Sequence, residues 1–362
     1  MATWPLLVLL VGAAPAATVE VDLSTPLRTL QSIVLADEAR DREAAAQCLI
    51  PEYRDQVQGV YGIAGQAWQF SQWFRSRLGR VLRYEPGQIS QWDDLARGLI
   101  KVTLPVPIGR NKRDIYFWFT LRRVGDEWLE DPDPRPALLR ATDDWLTAQS
   151  EHIVYHFTQP DAISAEVMAY HERFYDEVCT LMEVRPTEKV HYFYAASEEE
   201  ADFIGCPPWE AAGEGSMYTV VATRPRFAHE ICHAMLPQQP PNNVLSEGLA
   251  VYLADNRDRQ AIVPVRWRAE AGRLLQEGKL YPLSELATRD LRAIVMDADV
   301  VFDVLYPQSA AFVQWLIEER GIERFRRLFA EANIANFQQV FAGVYDQELA
   351  AAEEDWQEWV AQ

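Results

Sequence analysis

Two histidines four residues apart, with a glutamate directly after the first, are the residues of this sequence best suited to chemistry. They are His229, Glu230 and His233, in the pattern H-E-x-x-H. On a helix, residues four apart share one face, so both imidazoles can bind one metal ion while Glu230 lies beside it. Neutral imidazoles suit zinc, and a carboxylate beside a zinc-activated water can act as a general base. The spacing therefore predicts a zinc site with Glu230 as the catalytic base.

The residues around the motif predict that it lies on a short, buried helix. Thr223 is a candidate N-cap, and a proline such as Pro225 is tolerated in a first helical turn. Pro237 is expected to end the helix, because a proline cannot continue it. Cys232 lies inside the motif, but its position turns it away from the two histidines. It is expected to be a small core residue.

A third zinc ligand is expected from the segment that follows. The residue six positions after His233 is Gln239, which excludes the metzincin pattern, where a histidine stands there. Residues 243–252 predict a second, nearly apolar helix in which Glu247 is the one acidic residue. A lone carboxylate is costly to bury unless it is paired or bound to a metal. We therefore predict that Glu247 completes the zinc site with His229 and His233.

Together the two motifs resemble those of the gluzincins, the thermolysin-like zinc metallopeptidases. They are similar in particular to the bacterial peptidase MA-like families, in which S-E-G-x-A carries the glutamate ligand, as residues 246–250 would here. The resemblance covers about residues 213–255 and implies a zincin-type catalytic domain. One position departs from it: the thermolysin pattern has an aspartate where this chain has Val251. The resemblance therefore assigns no outer-shell partner to His229.

The resemblance also gives roles to two neighbouring segments. Residues 216–222 would form the strand that borders the cleft and pairs with extended substrate, although an ordinary sheet strand fits them equally. Tyr306 begins a predicted amphipathic helix that ends near Gly321. Some gluzincins use such a phenol to stabilise the oxyanion, which makes Tyr306 a candidate catalytic residue. Simple packing is the alternative, and the more common role for one of 14 tyrosines.

The other histidines and the cysteines predict no second centre. His152 and His156 lie on one face of a predicted strand but lack an intervening glutamate, and His191 is expected to pack or to lie at the surface. The sequence has no C-x-x-C pair, which argues against a zinc knuckle or a redox motif. In an exported protein, a disulfide would fit between two of three cysteines: Cys179, Cys206 and Cys232.

The beginning of the sequence indicates export. Residues 4–17 are apolar, too few to cross a bilayer but enough for the core of a signal peptide. We therefore predict a signal peptide over residues 1–17 and a secreted or periplasmic protein. No other segment is long and apolar enough to predict a transmembrane span.

Charge and proline content divide the remaining chain into two modules. Residues 18–140 carry 17 basic and 17 acidic residues, whereas residues 141–362 carry 17 and 37, which accounts for the net charge of −20. The acidic half is not expected to bind nucleic acid. Three alternate prolines predict an irregular linker over residues 133–140, because proline disfavours helices and central strands. We expect residues from about 140 onward to fold alone.

The first module, residues 18–132, is expected to contain helices followed by strands. Apolar spacing indicates helices between about residues 27 and 77, and β-type runs indicate strands at 99–106 and 114–124. This order resembles the cone-shaped nuclear-transport-factor-2-like (SnoaL-like) fold over about residues 25–132. The predicted fold class is α+β: an N-terminal helix-then-antiparallel-sheet domain, then a mostly helical catalytic domain, residues 141–362, with a small sheet.

These features favour an exported zinc metallopeptidase that acts on a peptide or protein substrate. The alternative is a non-catalytic zinc-containing binding module, with the function residing in the N-terminal domain. Three protein ligands leave a fourth position open, which favours an enzyme, because structural zinc sites are usually closed by four protein ligands. A zincin that hydrolyses another amide or an ester fits the same motif. Nothing in the sequence specifies an oligomeric state.

Overall fold

The computed structural model describes most of the chain. The described residues are 19–39, 41–52, 54, 83–108, 112–205, 213–216, 218–236, 243–255, 266–288 and 300–362. The predicted signal peptide, and the part of the predicted N-terminal helices between residues 55 and 82, lie outside them. Within them the fold is α+β, as the sequence predicts, with a four-stranded antiparallel sheet, a five-stranded mixed sheet and many helices.

Helices precede an antiparallel sheet in the N-terminal part, in the predicted order. The helices whose bounds lie within the described residues there are α1 (Pro26–Ala39) and α2 (Arg42–Gln47). The strands are β1 (Arg83–Trp92), β2 (Leu95–Ile108), β3 (Lys112–Val124) and β4 (Glu127–Asp131). Each strand pairs with the next along the chain in antiparallel register, as short hairpin connections allow.

The proline-rich seam between the modules contains a helix. Residues Arg135–Ala141 form α3, with Pro134 as its N-cap and Pro136 in its first turn. The prediction of an irregular linker over residues 133–140 is therefore wrong. A proline in the first turn gives up only an N–H that has no partner inside the helix, so these prolines start a helix instead of preventing one.

The second sheet is mixed, and helices connect its strands. In chain order its elements are β5 (Leu146–Gln149), β6 (Ile153–Phe157), α4 (Ala165–Met182), β7 (Val190–Tyr194), α5 (Glu198–Ile204), β8 (Gly213–Ser216) and β9 (Thr219–Ala222). The strand order is β5-β6-β7-β9-β8. Strands β6, β7 and β9 are parallel, whereas β5 and β8 pair in antiparallel fashion at the two edges.

The predicted single strand over residues 216–222 is a hairpin of two strands. Tyr218 has a positive φ of 61° and turns the chain between β8 and β9. Strand β9 therefore lies inside the sheet, and β8 forms its edge. Residues Thr219–Ala222 thus form an ordinary inner strand. The edge of the sheet is formed by the strand just before the turn, Gly213–Ser216.

The rest of the described C-terminal part is helical. Its helices are α6 (His229–Met235), α7 (Asn243–Ala250), α8 (Trp267–Gln276), α9 (Leu283–Thr288), α10 (Tyr306–Glu318), α11 (Ile322–Glu331), α12 (Phe337–Tyr345) and α13 (Leu349–Ala361). A π-helical turn, Val251–Asp255, continues α7, and a second one, Val301–Leu305, leads into α10. Helix α10 ends near Gly321, as predicted, but its C-cap is Glu319 and not the glycine, which was a plausible C-cap residue. Gly321 is the N-cap of α11, with a φ of 94° that a glycine adopts without strain.

Helix α10 packs against α7 and α8 and belongs to the main apolar core. Large aromatic side chains from α10 to α13 fill this core, and all are fully buried: Phe312, Phe325, Phe337, Phe341 and Trp356. Residues of the second sheet and of α6 and α7 join the same cluster. The helices that carry the motif residues are therefore held by a continuous apolar interior.

Two side chains of the N-terminal sheet cap a helix of the C-terminal part. Arg97 Nη1 donates a hydrogen bond to the Phe203 carbonyl, and Trp118 Nε1 donates one to the Asp202 carbonyl at 2.7 Å. Both carbonyls lie in the last turn of α5, where helical carbonyls lack intrahelical partners. Arg97 is only 3% exposed, and its guanidinium carbon lies 4.1 Å from the centre of the Trp118 ring. The modules thus meet through a polar contact in which the Arg97 side chain is buried.

Two further expectations from the sequence concern membrane crossing and a disulfide. None of the helices in the described part of the chain combines the length and apolar character that a membrane crossing requires. Cys48, Cys179 and Cys232 are free thiols, so neither Cys179 nor Cys232 takes part in the disulfide that the sequence allowed. Cys206 lies outside the described residues.

Candidate metal centre

Helix α6 begins at His229, later than the sequence predicts. The residue that caps it is Ala228, not Thr223, and Ala228 contributes no side-chain hydrogen bond. Residues 223–228 belong to no helix. One reason is Pro225, whose ring disfavours helical backbone angles at the residue before it. The H-E-x-x-H motif thus occupies the first five positions of its helix and places His229 at the very start.

Side chains from distant elements hold the irregular segment before α6. The hydroxyl of Tyr192, on β7, donates to the Arg224 carbonyl. The Phe227 N–H donates to His171 Nε2, on α4, at 3.2 Å. These side chains supply the hydrogen-bond partners that the backbone groups of this segment would otherwise have in a helical turn. The start of α6 is therefore anchored to the sheet and to α4.

Three side chains that the sequence predicts as ligands meet at one point. His229 Nε2 lies 3.2 Å from His233 Nε2 and 3.3 Å from Glu247 Oε2, and His233 Nε2 lies 3.5 Å from the same oxygen. The three side chains are 8%, 16% and 13% exposed for His229, His233 and Glu247 respectively. This group could hold a metal ion, and it is the one such group of three or more among the described residues.

A glycine directly after Glu247 sets how closely α7 packs on α10. A Cβ atom at Gly248 would lie 2.6 Å from the Ser309 carbonyl oxygen and 2.7 Å from Val313 Cγ2. Only a residue without a side chain fits at that distance. Gly248 therefore lets the two helix backbones approach each other, which fixes Glu247 relative to the helix that begins with Tyr306.

The second histidine has a partner on its other ring nitrogen. Ser246 Oγ lies 3.1 Å from His233 Nδ1. Such a contact fixes the ring and leaves Nε2 to face the metal position. The sequence reasoning did not assign Ser246 a role, although its place before Glu247 in the S-E-G pattern was a usable signal. Val251, which occupies the position of the aspartate in the thermolysin pattern, is fully buried in the core.

Two aromatic rings lie nearly parallel to the first histidine. The Phe227 ring centre is 5.9 Å from that of His229, with 11° between the planes. The Tyr306 ring centre is 6.1 Å away, with 24° between the planes. The structure therefore brings Tyr306 to the metal group, as the sequence suggested. Phe227 was not singled out by the sequence, where one phenylalanine near a motif carries no signal.

Glu230 and Cys232 lie between the two histidines in sequence. Glu230 is the second residue of α6, only 6% exposed, and is not one of the three converging ligands. Cys232 is buried in the main core, as predicted. Burial raises the pKa of its thiol, and the charges of Glu247 and Glu230 raise it further. Cys232 is therefore a neutral core residue.

Opposing effects set the charge of Glu247. Burial raises the pKa of Glu247, but the electrostatic influence of His233 and hydrogen bonds with His229 and His233 outweigh it. The result is a pKa well below the ordinary value for a glutamate. Glu247 is consequently ionised near neutral pH, which is the form that binds a cation.

The remaining histidines form pairwise contacts. His152 Nδ1 lies 2.7 Å from Glu172 Oε2. His156 Nε2 lies 3.0 Å from His191 Nδ1, on the neighbouring strand, and burial followed by the charge of His191 lowers the pKa of His156 to about 4. Neither pair gains a third ligand among the described residues. His191 is half-buried, which agrees with the packed or surface position predicted for it.

No protein-family model matches this chain, and no curated protein sequence matches it either.

Proposed function

We propose that this chain is an exported zinc metallopeptidase of the gluzincin type. The observation that carries the proposal is the shape of the ligand group. A tetrahedral zinc ion with bonds of about 2.0–2.2 Å keeps its ligand atoms roughly 3.3–3.6 Å apart. The three distances between the atoms of His229, His233 and Glu247 are 3.2, 3.3 and 3.5 Å. The donor set, two imidazoles and one carboxylate, also suits zinc.

The number of ligands favours a catalytic role over a structural one. Three protein ligands are present among the described residues, and structural zinc sites usually have four, often cysteines. Cys232, the cysteine inside the motif, is buried in the core and is not in the ligand group. Zinc bound here would polarise a carbonyl group and lower the pKa of a water molecule toward about 7.

The side chains of this chain supply the remaining parts of a hydrolytic mechanism. Glu230 takes the proton of the attacking water and passes it to the leaving amine. Tyr306, half-buried beside His229, donates its phenolic hydrogen to the developing oxyanion. Strand β8 lies at the edge of the second sheet, where the backbone of an extended peptide can pair with it. This pairing holds a peptide by its main chain and thus fits a peptide or protein substrate.

The test separates metal binding from hydrolysis. Glu230→Gln keeps the shape of the side chain but removes the base, so we expect it to retain zinc and to lose peptide hydrolysis by about 10²–10⁴-fold. Glu247→Ala should lose the metal itself. Glu323→Gln, at a side chain that is 77% exposed on α11, is the matched control and should leave both unchanged. Zinc is measured by elemental analysis, and cleavage by mass spectrometry of a mixed peptide library.

Two results would contradict the proposal. A Glu230→Gln variant as active as the wild type would show that Glu230 is not the base. A wild-type chain that binds one zinc and cleaves no peptide in the library would favour a non-catalytic zinc module, with the function in the N-terminal domain.

A further inference from the structure

A histidine outside the metal group is buried without a charge partner. His171 lies on α4, is fully buried, and is surrounded by the rings of Tyr155, Tyr170 and Tyr192 at centre distances of 5.9, 5.4 and 5.0 Å. Its Nδ1 atom is buried with no hydrogen-bond partner among the described residues. An unpaired buried N–H is a local cost, which the other contacts of the His171 ring have to offset.

The one hydrogen bond that His171 makes goes to the segment leading into α6. Its Nε2 accepts the Phe227 N–H at 3.2 Å, so the neutral ring carries its proton on Nδ1. Phe227 comes two residues before His229, and its ring lies nearly parallel to the His229 imidazole. Ala228 gives α6 no side-chain cap, and the N–H of Phe227, one residue earlier, is held by the His171 side chain.

We propose that His171 is a positioning residue, which fixes through Phe227 the direction in which His229 presents Nε2 to the metal. This inference rests on the proposed function, since it needs a metal at His229. The lone pair that binds a metal lies in the plane of the imidazole ring. Rotation of that ring swings Nε2 away from the other two ligands, and a parallel neighbouring ring restricts this rotation. His171 holds the backbone on which the neighbouring ring is mounted.

A second anchor on the same segment supports a positioning role. Tyr192 donates its hydroxyl to the Arg224 carbonyl, three residues before Phe227. The two side chains come from β7 and α4, which are adjacent in the same core. Between them they hold a stretch that is neither helix nor strand. These side chains act at the start of α6, while a backbone hydrogen bond from the Tyr218 N–H to the Ala234 carbonyl ties its last turn to the sheet.

The experiment compares two amides at position 171. The amide oxygen of His171→Gln reaches as far as Nε2 and can accept the Phe227 N–H, whereas that of His171→Asn reaches only as far as Nδ1 and cannot. We expect His171→Asn to weaken cobalt(II) binding by about 10–100-fold, the range for lost outer-shell contacts, and His171→Gln to stay within about threefold of wild type. The visible absorption of bound cobalt(II) should change in shape for His171→Asn alone, because it reports ligand geometry. Tyr155→Phe, in the same aromatic cluster, is the control.

The outcomes separate this inference from the proposed function. A wild-type chain that binds neither cobalt(II) nor zinc would contradict the metal site itself, and with it the proposed function. If the wild type binds cobalt(II) and the asparagine and glutamine variants share its affinity and spectrum, His171 does not position His229. Thermal unfolding of the metal-free variants shows whether the two amides differ in stability. Equal stability with unequal metal affinity is the pattern that positioning requires and that simple packing does not give.

Discussion

Gly248→Ala should damage the metal site more than it damages the fold. The added Cβ would lie 2.6 Å from the Ser309 carbonyl oxygen and 2.7 Å from Val313 Cγ2. Ordinary van der Waals contact for such a Cβ begins at 3.4 Å, so α7 must retreat from α10 by about 0.8 Å, the difference between 3.4 and 2.6 Å. Overpacking of this kind costs about 1–3 kcal/mol, and the better helix propensity of alanine returns about 1 kcal/mol. The expected net loss is small, about 0–2 kcal/mol.

The effect on metal binding should be larger, because Glu247 moves with the backbone of Gly248. Metal–ligand distances tolerate only about 0.2 Å of error, well below the required retreat of α7. We expect zinc affinity to fall by at least about tenfold. Affinity is measured by competition with a chromophoric chelator, and stability by urea unfolding of the metal-free protein.

Gly343→Ala provides the matched control. Gly343 lies inside α12, and a Cβ atom there meets nothing within 4 Å. This variant should gain about 0.5–1 kcal/mol from helix propensity and leave zinc affinity unchanged. If Gly248→Ala binds zinc as tightly as wild type, the close approach of α7 and α10 does not set the position of Glu247, and the reasoning is refuted.

Three further variants test separate features. Ser246→Ala removes the partner of His233 Nδ1 and should weaken zinc binding by about tenfold, as measured by the same chelator competition, with little change in stability. Arg97→Met removes the charged donor to the Phe203 carbonyl and should lower the free energy of unfolding by about 1–3 kcal/mol in urea, without changing zinc affinity. Burial, followed by the charge of Asp131, raises the pKa of Glu130 to about 8, so its ionised form is disfavoured in the folded state. Below about pH 4.5, the free energy of unfolding of the wild type should therefore match that of Glu130→Gln. By pH 8 the wild type should have lost up to a few kcal/mol of that free energy relative to the variant, and urea unfolding at both pH values measures the difference.

The metal ligands could be predicted because their spacing is a local property. A separation of four residues puts His229 and His233 on one helix face in any fold, and an acidic residue in an apolar helix needs a partner wherever it lies. The meeting of Glu247 with the histidines followed from those two facts. The class of fold followed similarly from the alternation of helical and strand-like segments.

The parts that were missed depend on contacts between distant residues. His171 and Phe227 are 56 residues apart, and Arg97 and Phe203 are 106 apart. No local pattern marks such pairs, since a buried histidine and a buried arginine have many roles. The start of α6 was misplaced for the same reason: capping at Thr223 is sound local chemistry, but partners from β7 and α4 compete for that backbone. The helix at Arg135–Ala141 was missed by weighing proline only as a breaker.

The capping of α5 by Arg97 and Trp118 has a consequence for how this chain could be divided or recombined. A fragment that begins near residue 140 would lose the two side-chain donors to the Asp202 and Phe203 carbonyls. The Gly205 N–H would still bond the Asp202 carbonyl, but the Phe203 carbonyl would lose the donor that Arg97 supplies. That this fragment folds alone remains a prediction, and the loss of these hydrogen bonds opposes it. A foreign domain joined in place of residues 18–132 would have to offer a cation and an N–H at the same two points. The two modules are separate stretches of the sequence, but they contact each other in the fold. Dividing the chain between them therefore breaks the hydrogen bonds that join them.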